Sequence, residues 1–171
     1  EETLYARLNR MAAAKGAETV VDATGAQLIH ALAEGPMLVK PNLRELEAAT
    51  GGPIRTLATL AERAEGLRRQ GARNVLVSLG AEGALLACDS GVYRCAAPKG
   101  TVLGTTGAGD TMVAAYLYAA RLGLEDARRL RLCVAAGSAT AFSEALAAKD
   151  TVEAILRRTP MPERVSVENK F

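Results

Sequence analysis

Residues 105–115 read TTGAGDTMVAA, and this segment decides the fold of the chain. Gly107 and Gly109 have no Cβ, so the backbone can turn sharply there and a ligand can approach the main-chain amides closely. The segment Met112–Leu122 is apolar almost all round, which predicts a buried helix rather than a surface helix. Because the first amides of a helix lack intrahelical partners and lie at the positive end of its dipole, the segment predicts an anion site.

Asp110 falls in the first turn of this predicted helix, beside the predicted anion site. A bound phosphate repels a carboxylate, so we expect Asp110 to take the proton from a hydroxyl that attacks phosphorus. The structural alternative is that the helix dipole alone favours an acidic residue in a first turn. A dinucleotide fingerprint is excluded because Met112 replaces its third glycine, and no Gly-Lys-Ser/Thr completes a Walker loop.

The composition fits a compact globular protein. Of the 171 residues 49% are hydrophobic, enough for a single α/β domain over residues 1–171 that buries about 70% of its unfolded surface. A net charge of +2 gives no electrostatic reason to expect nucleic acid or a membrane surface. Three cysteines without metal-ligand spacing, and no apolar run of ~18 residues, predict a reduced, cytoplasmic protein. Whether Cys88 and Cys95 pair stays open.

Apolar periodicity predicts alternating helices and strands before residue 80. Leu4, Leu8, Met11 and Ala12 recur at helical spacing and predict a helix that Gly16 ends. The predicted helices are 3–15, 26–33, 43–49 and 57–70, and the predicted strands are 19–21, 37–39 and 74–78. This alternation with short connections predicts a mainly parallel sheet covered by helices on both faces.

The pattern changes in the second half. Strands over 84–88 and 92–96, separated by Asp89-Ser90-Gly91, predict a hairpin. The remaining predicted elements are helices over 108–122, 125–146 and 151–158, the last capped by Asp150, and a terminal strand over 164–167.

Polar residues follow the predicted strands, where open α/β sheets bind their ligands: Asp22, then Lys40-Pro41-Asn42, then Ser78. On an opening helix Asn42 and Glu45 share one face, and both could hold a hydrated Mg²⁺ beside phosphates. A helix-capping box explains the same two residues equally well. Residues 78–83, SLGAEG, offer a hydroxyl and two glycines for close approach of a nucleotide, with a plain turn as the alternative.

The three motifs in this order resemble the PfkB-type (ribokinase-like) carbohydrate kinases. Residues 39–46 (VKPNLREL), 77–85 (VSLGAEGAL) and 140–144 (TAFSE) are most similar to 1-phosphofructokinases, with tagatose-6-phosphate kinases second. The resemblance covers essentially the whole chain and matches the C-terminal half of family members. It implies a ribokinase-like, Rossmann-type three-layer sandwich that is truncated on its N-terminal side.

The resemblance also implies a role for each motif. Asp110 would be the catalytic base, and the amides of Gly107, Ala108 and Gly109 would form the anion hole. The other implied site residues are Asn42 and Glu45 for Mg²⁺ and phosphate, and Ser78, Gly80, Glu82, Gly83 and Gly109 for the nucleotide. The implied reaction is ATP-dependent phosphorylation of the 6-hydroxyl of a sugar phosphate, fructose 1-phosphate above all.

Three alternatives stay open: a tagatose-6-phosphate kinase, another PfkB-type sugar or nucleoside kinase, and a non-catalytic nucleotide-binding fragment. In the family, the N-terminal half carries the lid and most groups that hold the sugar phosphate, and it has no counterpart in this sequence. We therefore expect the 171-residue chain to be inactive alone. A truncated sheet would expose an edge strand, which favours self-association, for example as a homodimer.

Overall fold

The computed structural model describes residues 4–166, which contain seven α-helices and six strands. The helices are Leu4–Ala13 (α1), Gly25–Leu32 (α2), Leu43–Thr50 (α3), Leu57–Arg69 (α4), Ala108–Arg121 (α5), Asp126–Ala141 (α6) and Lys149–Arg158 (α7). The strands are Val20–Val21 (β1), Leu38–Val39 (β2), Val75–Ser78 (β3), Ala84–Cys88 (β4), Gly91–Cys95 (β5) and Glu163–Val165 (β6). They form one mixed sheet in the order β1-β2-β3-β4-β5-β6.

The first three strands are parallel, as predicted. Val20 lies opposite Leu38, and Val39 lies opposite Val75. Val75, Leu76 and Val77 of β3 are fully buried. A continuous apolar run of this kind is expected for a strand of a parallel sheet that is covered on both faces. The predicted hairpin is also present, because β4 and β5 are hydrogen-bonded neighbours in the sheet and only Asp89 and Ser90 separate them.

The chain divides into two compact units. Of the described residues, the first unit holds 4–78, 85–92 and 165–166, and the second holds 79–84 and 93–164. The first unit has a leucine-rich core that includes Leu28, Leu46 and Leu67. In the second unit α5 packs on α6 and α6 packs on α7, around Tyr116 and Leu130. The single domain expected over 1–171 stays a prediction.

Two predicted helix ends in the second unit are wrong. Helix α6 ends at Ala141 instead of residue 146. Side chains near its end form hydrogen bonds with backbone groups that would bond to each other in a further helical turn. The Ser143 hydroxyl donates to the Ala139 carbonyl at 2.8 Å, and the Ala147 amide donates to the Thr140 hydroxyl at 3.3 Å. Helix α7 begins at Lys149 with Ala148 as its N-cap, so Asp150 lies in the first turn and is not the cap.

The apolar helix α5 is less buried than predicted. Helix α5 buries Met112, Ala115, Tyr116 and Ala119 but exposes the opposite side, so the prediction of a fully buried helix is wrong. In α1 the side chains of Leu4, Leu8 and Met11 are exposed. The predicted terminal strand is present as β6, and residue 167 lies outside the described residues. Between residues 4 and 166, no helix has both the length and the apolar content to cross a membrane.

Candidate functional site

The turn before α5 requires glycine at residue 107. Gly107 is the N-cap of α5 and has φ 79° and ψ −7°, in the left-handed region that other residues rarely adopt. A Cβ at this position would lie 2.6 Å from Cδ2 of Leu146. The backbone conformation therefore explains the glycine, and it sets the direction in which the chain enters α5.

Two of the three amides predicted to bind an anion are available. The Ala108 amide donates to the Thr105 carbonyl at 3.2 Å, and the Thr111 amide donates to the Gly107 carbonyl at 2.9 Å. Within residues 4–166, the amides of Gly107 and Gly109 donate to no acceptor of the chain. The Ala108 amide closes the turn itself, and anion binding by the three amides stays a prediction.

Asp110 lies in the first turn of α5 and is exposed. Its carboxylate has no hydrogen bond or ion pair with any other residue of the described chain. The acidic residue in the first turn of α6 behaves differently, since Asp126 forms an ion pair with Arg129 at 3.2 Å. The Asp110 carboxylate is therefore free to meet a ligand at the start of α5.

A chain of hydroxyl groups holds the turn in place. The Thr111 hydroxyl donates to the Gly107 carbonyl at 2.8 Å, and the Thr140 hydroxyl donates to the Thr111 oxygen at 3.1 Å. Thr140 is buried on α6, and its oxygen also accepts the Ala147 amide. Sequence reasoning missed both threonines as site residues. Thr111 could have been found from its spacing of four residues after Gly107, whereas nothing local to Thr140 points to this contact.

The glycine turn after β3 is more tightly packed than predicted. The Leu79 amide donates to the Gly83 carbonyl at 2.9 Å, and a Cβ on Gly83 would lie 2.0 Å from the Cys95 carbonyl oxygen. Close packing against β5 therefore explains Gly83, which is buried, while Gly80 is exposed. The Glu82 carboxylate accepts a hydrogen bond from Arg94 at 3.1 Å. Nucleotide binding by these residues stays a prediction.

In the first unit, Asn42 and Glu45 form a complete capping box at the start of α3. The Glu45 amide donates to Oδ1 of Asn42 at 3.0 Å, and the Asn42 amide donates to Oε2 of Glu45 at 2.8 Å. The capping interpretation is confirmed, and the role in binding Mg²⁺ stays a prediction. A parallel bridge places Asn42 beside Ser78, and the Ser78 amide donates to the Pro41 carbonyl at 3.0 Å.

The first two strands end in an ion pair. Nζ of Lys40, which follows β2, lies 3.0 Å from a carboxylate oxygen of Asp22, which follows β1. The Lys40 side chain is only 7% exposed, so Asp22 compensates a cation that is nearly removed from water. The carboxyl ends of these parallel strands therefore bring together charged and polar side chains.

The structure divides the predicted site residues between its two units. Asp22, Lys40, Asn42, Glu45 and Ser78 lie in the first unit, and Gly80, Glu82, Gly83 and residues 107–110 lie in the second. Each group is a local arrangement at the end of a strand or the start of a helix. Each group lies where α/β proteins commonly bind ligands, and ligand binding by these residues stays a prediction.

Comparison with known proteins identifies the family. The model of the pfkB family carbohydrate kinases matches residues 1–151, and the chain belongs to this family. The 1-phosphofructokinase of Bacillus subtilis is 37% identical over 154 residues, which cover 89% of this chain and 50% of that enzyme. The family resemblance read from the motifs is thereby confirmed.

Solved structures agree on the fold. The phosphofructokinase-2 of Escherichia coli, crystallised with substrates and products, has a TM-score of 0.86 and 31% identity, over 92% of this chain and 52% of that one. The ribokinase of Arabidopsis thaliana, complexed with ribose and ATP, has a TM-score of 0.79 at 24% identity over 92% of this chain and 53% of that one, and supports the fold alone. The predicted ribokinase-like α/β fold is confirmed, and the chain spans about half the length of the curated relatives it matches.

Proposed function

We propose that this chain provides the base and the nucleotide-binding part of an ATP-dependent sugar-phosphate kinase. The observation that supports the proposal most is the start of α5. There an exposed and unpaired Asp110 follows a left-handed Gly107, and the Gly107 and Gly109 amides have no acceptor within the described chain. A general base and an electrostatic cradle at one place are what phosphoryl transfer requires of a protein.

In the proposed reaction, Asp110 accepts the proton of the sugar 6-hydroxyl. The hydroxyl oxygen forms a bond to the terminal phosphorus of ATP, the bond from that phosphorus to the bridging oxygen breaks, and ADP leaves. The amides of Gly107 and Gly109 stabilise the negative charge of the phosphoryl group during transfer. The Ala108 amide can contribute only if its 3.2 Å bond to Thr105 opens.

The predicted residues would hold the nucleotide and its metal. Mg²⁺ supplies charge neutralisation for the phosphates when it is bound. Asn42 and Glu45 fit a hydrated Mg²⁺ because both carry hard oxygen atoms, and the capping box uses only one oxygen of the Glu45 carboxylate. Ser78, Gly80, Glu82 and Gly83 are the proposed contacts of the nucleotide.

Fructose 1-phosphate is the proposed acceptor, with fructose 1,6-bisphosphate as the product. The 1-phosphofructokinases of Bacillus subtilis and Haemophilus influenzae, 37% and 39% identical, favour this acceptor over tagatose 6-phosphate. The proposed partners are thus a nucleotide and a sugar phosphate, with a second copy of the chain at a sheet edge as a further possibility. Within the described residues Cys88, Cys95 and Cys133 form no disulfide, which fits a reducing compartment such as the cytoplasm.

A coupled assay of ADP release tests this function. Fructose 1-phosphate, tagatose 6-phosphate, ribose and adenosine are offered in turn, both to the 171-residue chain and to the full-length product of the gene. We expect turnover by the full-length protein with fructose 1-phosphate and none by the chain alone. Preference for another acceptor would correct the substrate, and turnover by the chain alone would contradict its role as a part.

The second candidate is a nucleotide-binding protein without turnover. The coverage of only 50% of the Bacillus subtilis enzyme favours it, because the acceptor site of a kinase needs residues beyond this chain. Calorimetric titration with MgATP separates the candidates when it is combined with the assay. Nucleotide binding by a full-length protein that releases no ADP with any acceptor would support the second candidate.

A further inference from the structure

The first turn of α5 lies against one face of α6. Gly137 and Thr140 are three residues apart on α6, so they share this face, and both are buried. A Cβ at Gly137 would lie 2.7 Å from Cγ of Met112 and 3.3 Å from the carbonyl oxygen of Ala108. A helix admits so close an approach only where a residue without a side chain leaves the space. The glycine on α6 therefore lets the start of α5 lie directly against that helix.

Thr140 adds a series of hydrogen bonds that can run in only one direction. The Gly107 carbonyl can only accept, so the Thr111 hydroxyl, 2.8 Å away, is the donor. The Thr111 oxygen therefore accepts from the Thr140 hydroxyl at 3.1 Å, and the Thr140 oxygen accepts from the Ala147 amide at 3.3 Å. Each hydroxyl is both acceptor and donor, and hydrogen bonds in such a series strengthen one another. Removal of the Thr140 hydroxyl would break the series in its middle.

The series ends on the peptide group that joins Gly107 to Ala108. The oxygen of this group accepts from the hydroxyl and from the amide of Thr111, at 2.8 and 2.9 Å. Its amide donates to the Thr105 carbonyl at 3.2 Å, so three hydrogen bonds fix the plane of the group. The amides of Gly107 and Gly109, which have no acceptor within the described chain, belong to the peptide groups on either side. Because neighbouring peptide groups share a Cα, fixing the central plane limits the directions of both amides.

We propose that Thr140 is a positioning residue for phosphoryl transfer. It acts through Thr111 on the turn that carries the two available amides and Asp110. The inference rests on the proposed function and adds to it a residue on another helix. Thr140 is only 2% exposed, so it acts through the turn and not by contact with a ligand. Catalysis of this kind depends on groups that are held in place beforehand, and a displacement of about 1 Å lowers a rate by about 100-fold.

A second buried threonine of the same unit provides the matched control. Thr159 is 1% exposed, and its hydroxyl donates to the Ile155 carbonyl at 2.9 Å, at the end of α7. Thr159→Val and Thr140→Val therefore remove the same group from a buried site, but only the hydroxyl of Thr140 is bonded to Thr111. A loss of stability alone would affect both variants. Thr140→Ser keeps the hydroxyl and should keep the hydrogen bonds.

Steady-state kinetics of the full-length protein with MgATP and fructose 1-phosphate test the inference. We expect Thr140→Val to lower kcat by about 10-fold to 100-fold and to change KM for MgATP by less than about 3-fold, because the geometry matters most in the transition state. Thr140→Ser should restore most of the lost kcat. Thr159→Val should keep the native kcat even where its Tm is lowered as much as that of Thr140→Val.

Gly137→Ala perturbs the same contact without removing a hydrogen bond, and it serves as the test if Thr140→Val does not fold. The new methyl group presses on Met112 and on the Ala108 carbonyl, while alanine itself favours a helix more than glycine does. Gly66→Ala is the control, because Gly66 lies inside α4 and its Cβ would meet only Nη2 of Arg69, at 4.0 Å. We expect kcat to fall by about 10-fold in Gly137→Ala and to stay unchanged in Gly66→Ala.

Hydrogen exchange of the Ala108 amide in the full-length protein measures the turn without any turnover. Exchange should be faster in Thr140→Val than in Thr159→Val, because Thr111 is then no longer bonded to α6. Native kcat in Thr140→Val, an equal loss in Thr159→Val, or no recovery in Thr140→Ser would overturn the inference. A native protein that releases no ADP with any acceptor would contradict the proposed reaction instead. In that case faster exchange in Thr140→Val alone would still support its hold on the turn, and equal exchange would overturn it.

Discussion

Replacement of Gly107 by alanine tests the geometry on which the anion site depends. At φ 79° an alanine has to adopt a left-handed conformation, which costs about 1–2 kcal/mol. The new Cβ would also lie 2.6 Å from Cδ2 of Leu146. Leu146 is 69% exposed and can rotate away, so the backbone strain is the larger effect. For a protein of this size, we expect Tm to fall by about 2–8 °C.

Thermal unfolding followed by circular dichroism measures this change. Gly104→Ala is the matched control, because Gly104 lies in the same loop, has no positive φ and has no atom within 4 Å of its missing Cβ. The double variant Gly107→Ala with Leu146→Ala removes the contact but not the strain, so its Tm should stay below that of Leu146→Ala alone. If Gly107→Ala were as stable as Gly104→Ala, the left-handed turn would not be needed and the reasoning would fail.

Three further predictions concern the capping box, the hydroxyl chain and a buried thiol. Glu45→Ala should destabilise the fold by about 1 kcal/mol in urea unfolding. Glu45→Gln keeps the capping box and should raise only the Mg²⁺ concentration needed for turnover of the full-length protein. Unchanged Mg²⁺ dependence would mean that Glu45 acts only as a helix cap. Thr140→Val leaves the half-buried Ala147 amide without its acceptor and removes the hydrogen bond that the Thr111 hydroxyl accepts. It should lower the free energy of unfolding by about 1–3 kcal/mol, against no change for the exposed Thr151→Val. Burial raises the pKa of the Cys95 thiol from 9.0 to about 11. As the pH rises, the thiol therefore ionises in the unfolded chain before it ionises in the folded chain. The free energy of unfolding should fall between about pH 9 and pH 11, by roughly 2–3 kcal/mol. Urea unfolding of Cys95→Ala should show a shallower fall over the same window, and an identical pH profile would exclude Cys95 as its source.

Sequence reasoning succeeded where the signal is local. The three parallel strands were visible as short apolar runs, and the capping box was visible as the spacing of Asn42 and Glu45. The left-handed turn could be expected from Gly107, because few other residues adopt its conformation. In each case one stretch of chain contains both the cause and the structure that it produces.

The features that escaped prediction depend on packing between helices or on side-chain contacts that periodicity does not show. The end of α6 depends on Ser143 and Thr140, which bind backbone groups that a longer helix would use. The hydrogen bond from the Thr140 hydroxyl to the Thr111 hydroxyl forms only because α5 packs on α6. The exposed side of α5 could not be predicted either, since an apolar sequence indicates that a helix is covered but not whether this chain supplies the cover.

The most direct test of the account is the turnover of Asp110→Asn in the full-length protein. Asp150→Asn is the matched control, because Asp150 lies in the first turn of α7 in the same unit and is also exposed. We predict that Asp110→Asn lowers kcat about 10²–10⁴-fold while ATP binding is retained, since the side chain acts on the hydroxyl and not on the nucleotide. Nearly unchanged turnover of Asp110→Asn, or an equal loss in Asp150→Asn, would contradict the assignment of Asp110 as the base.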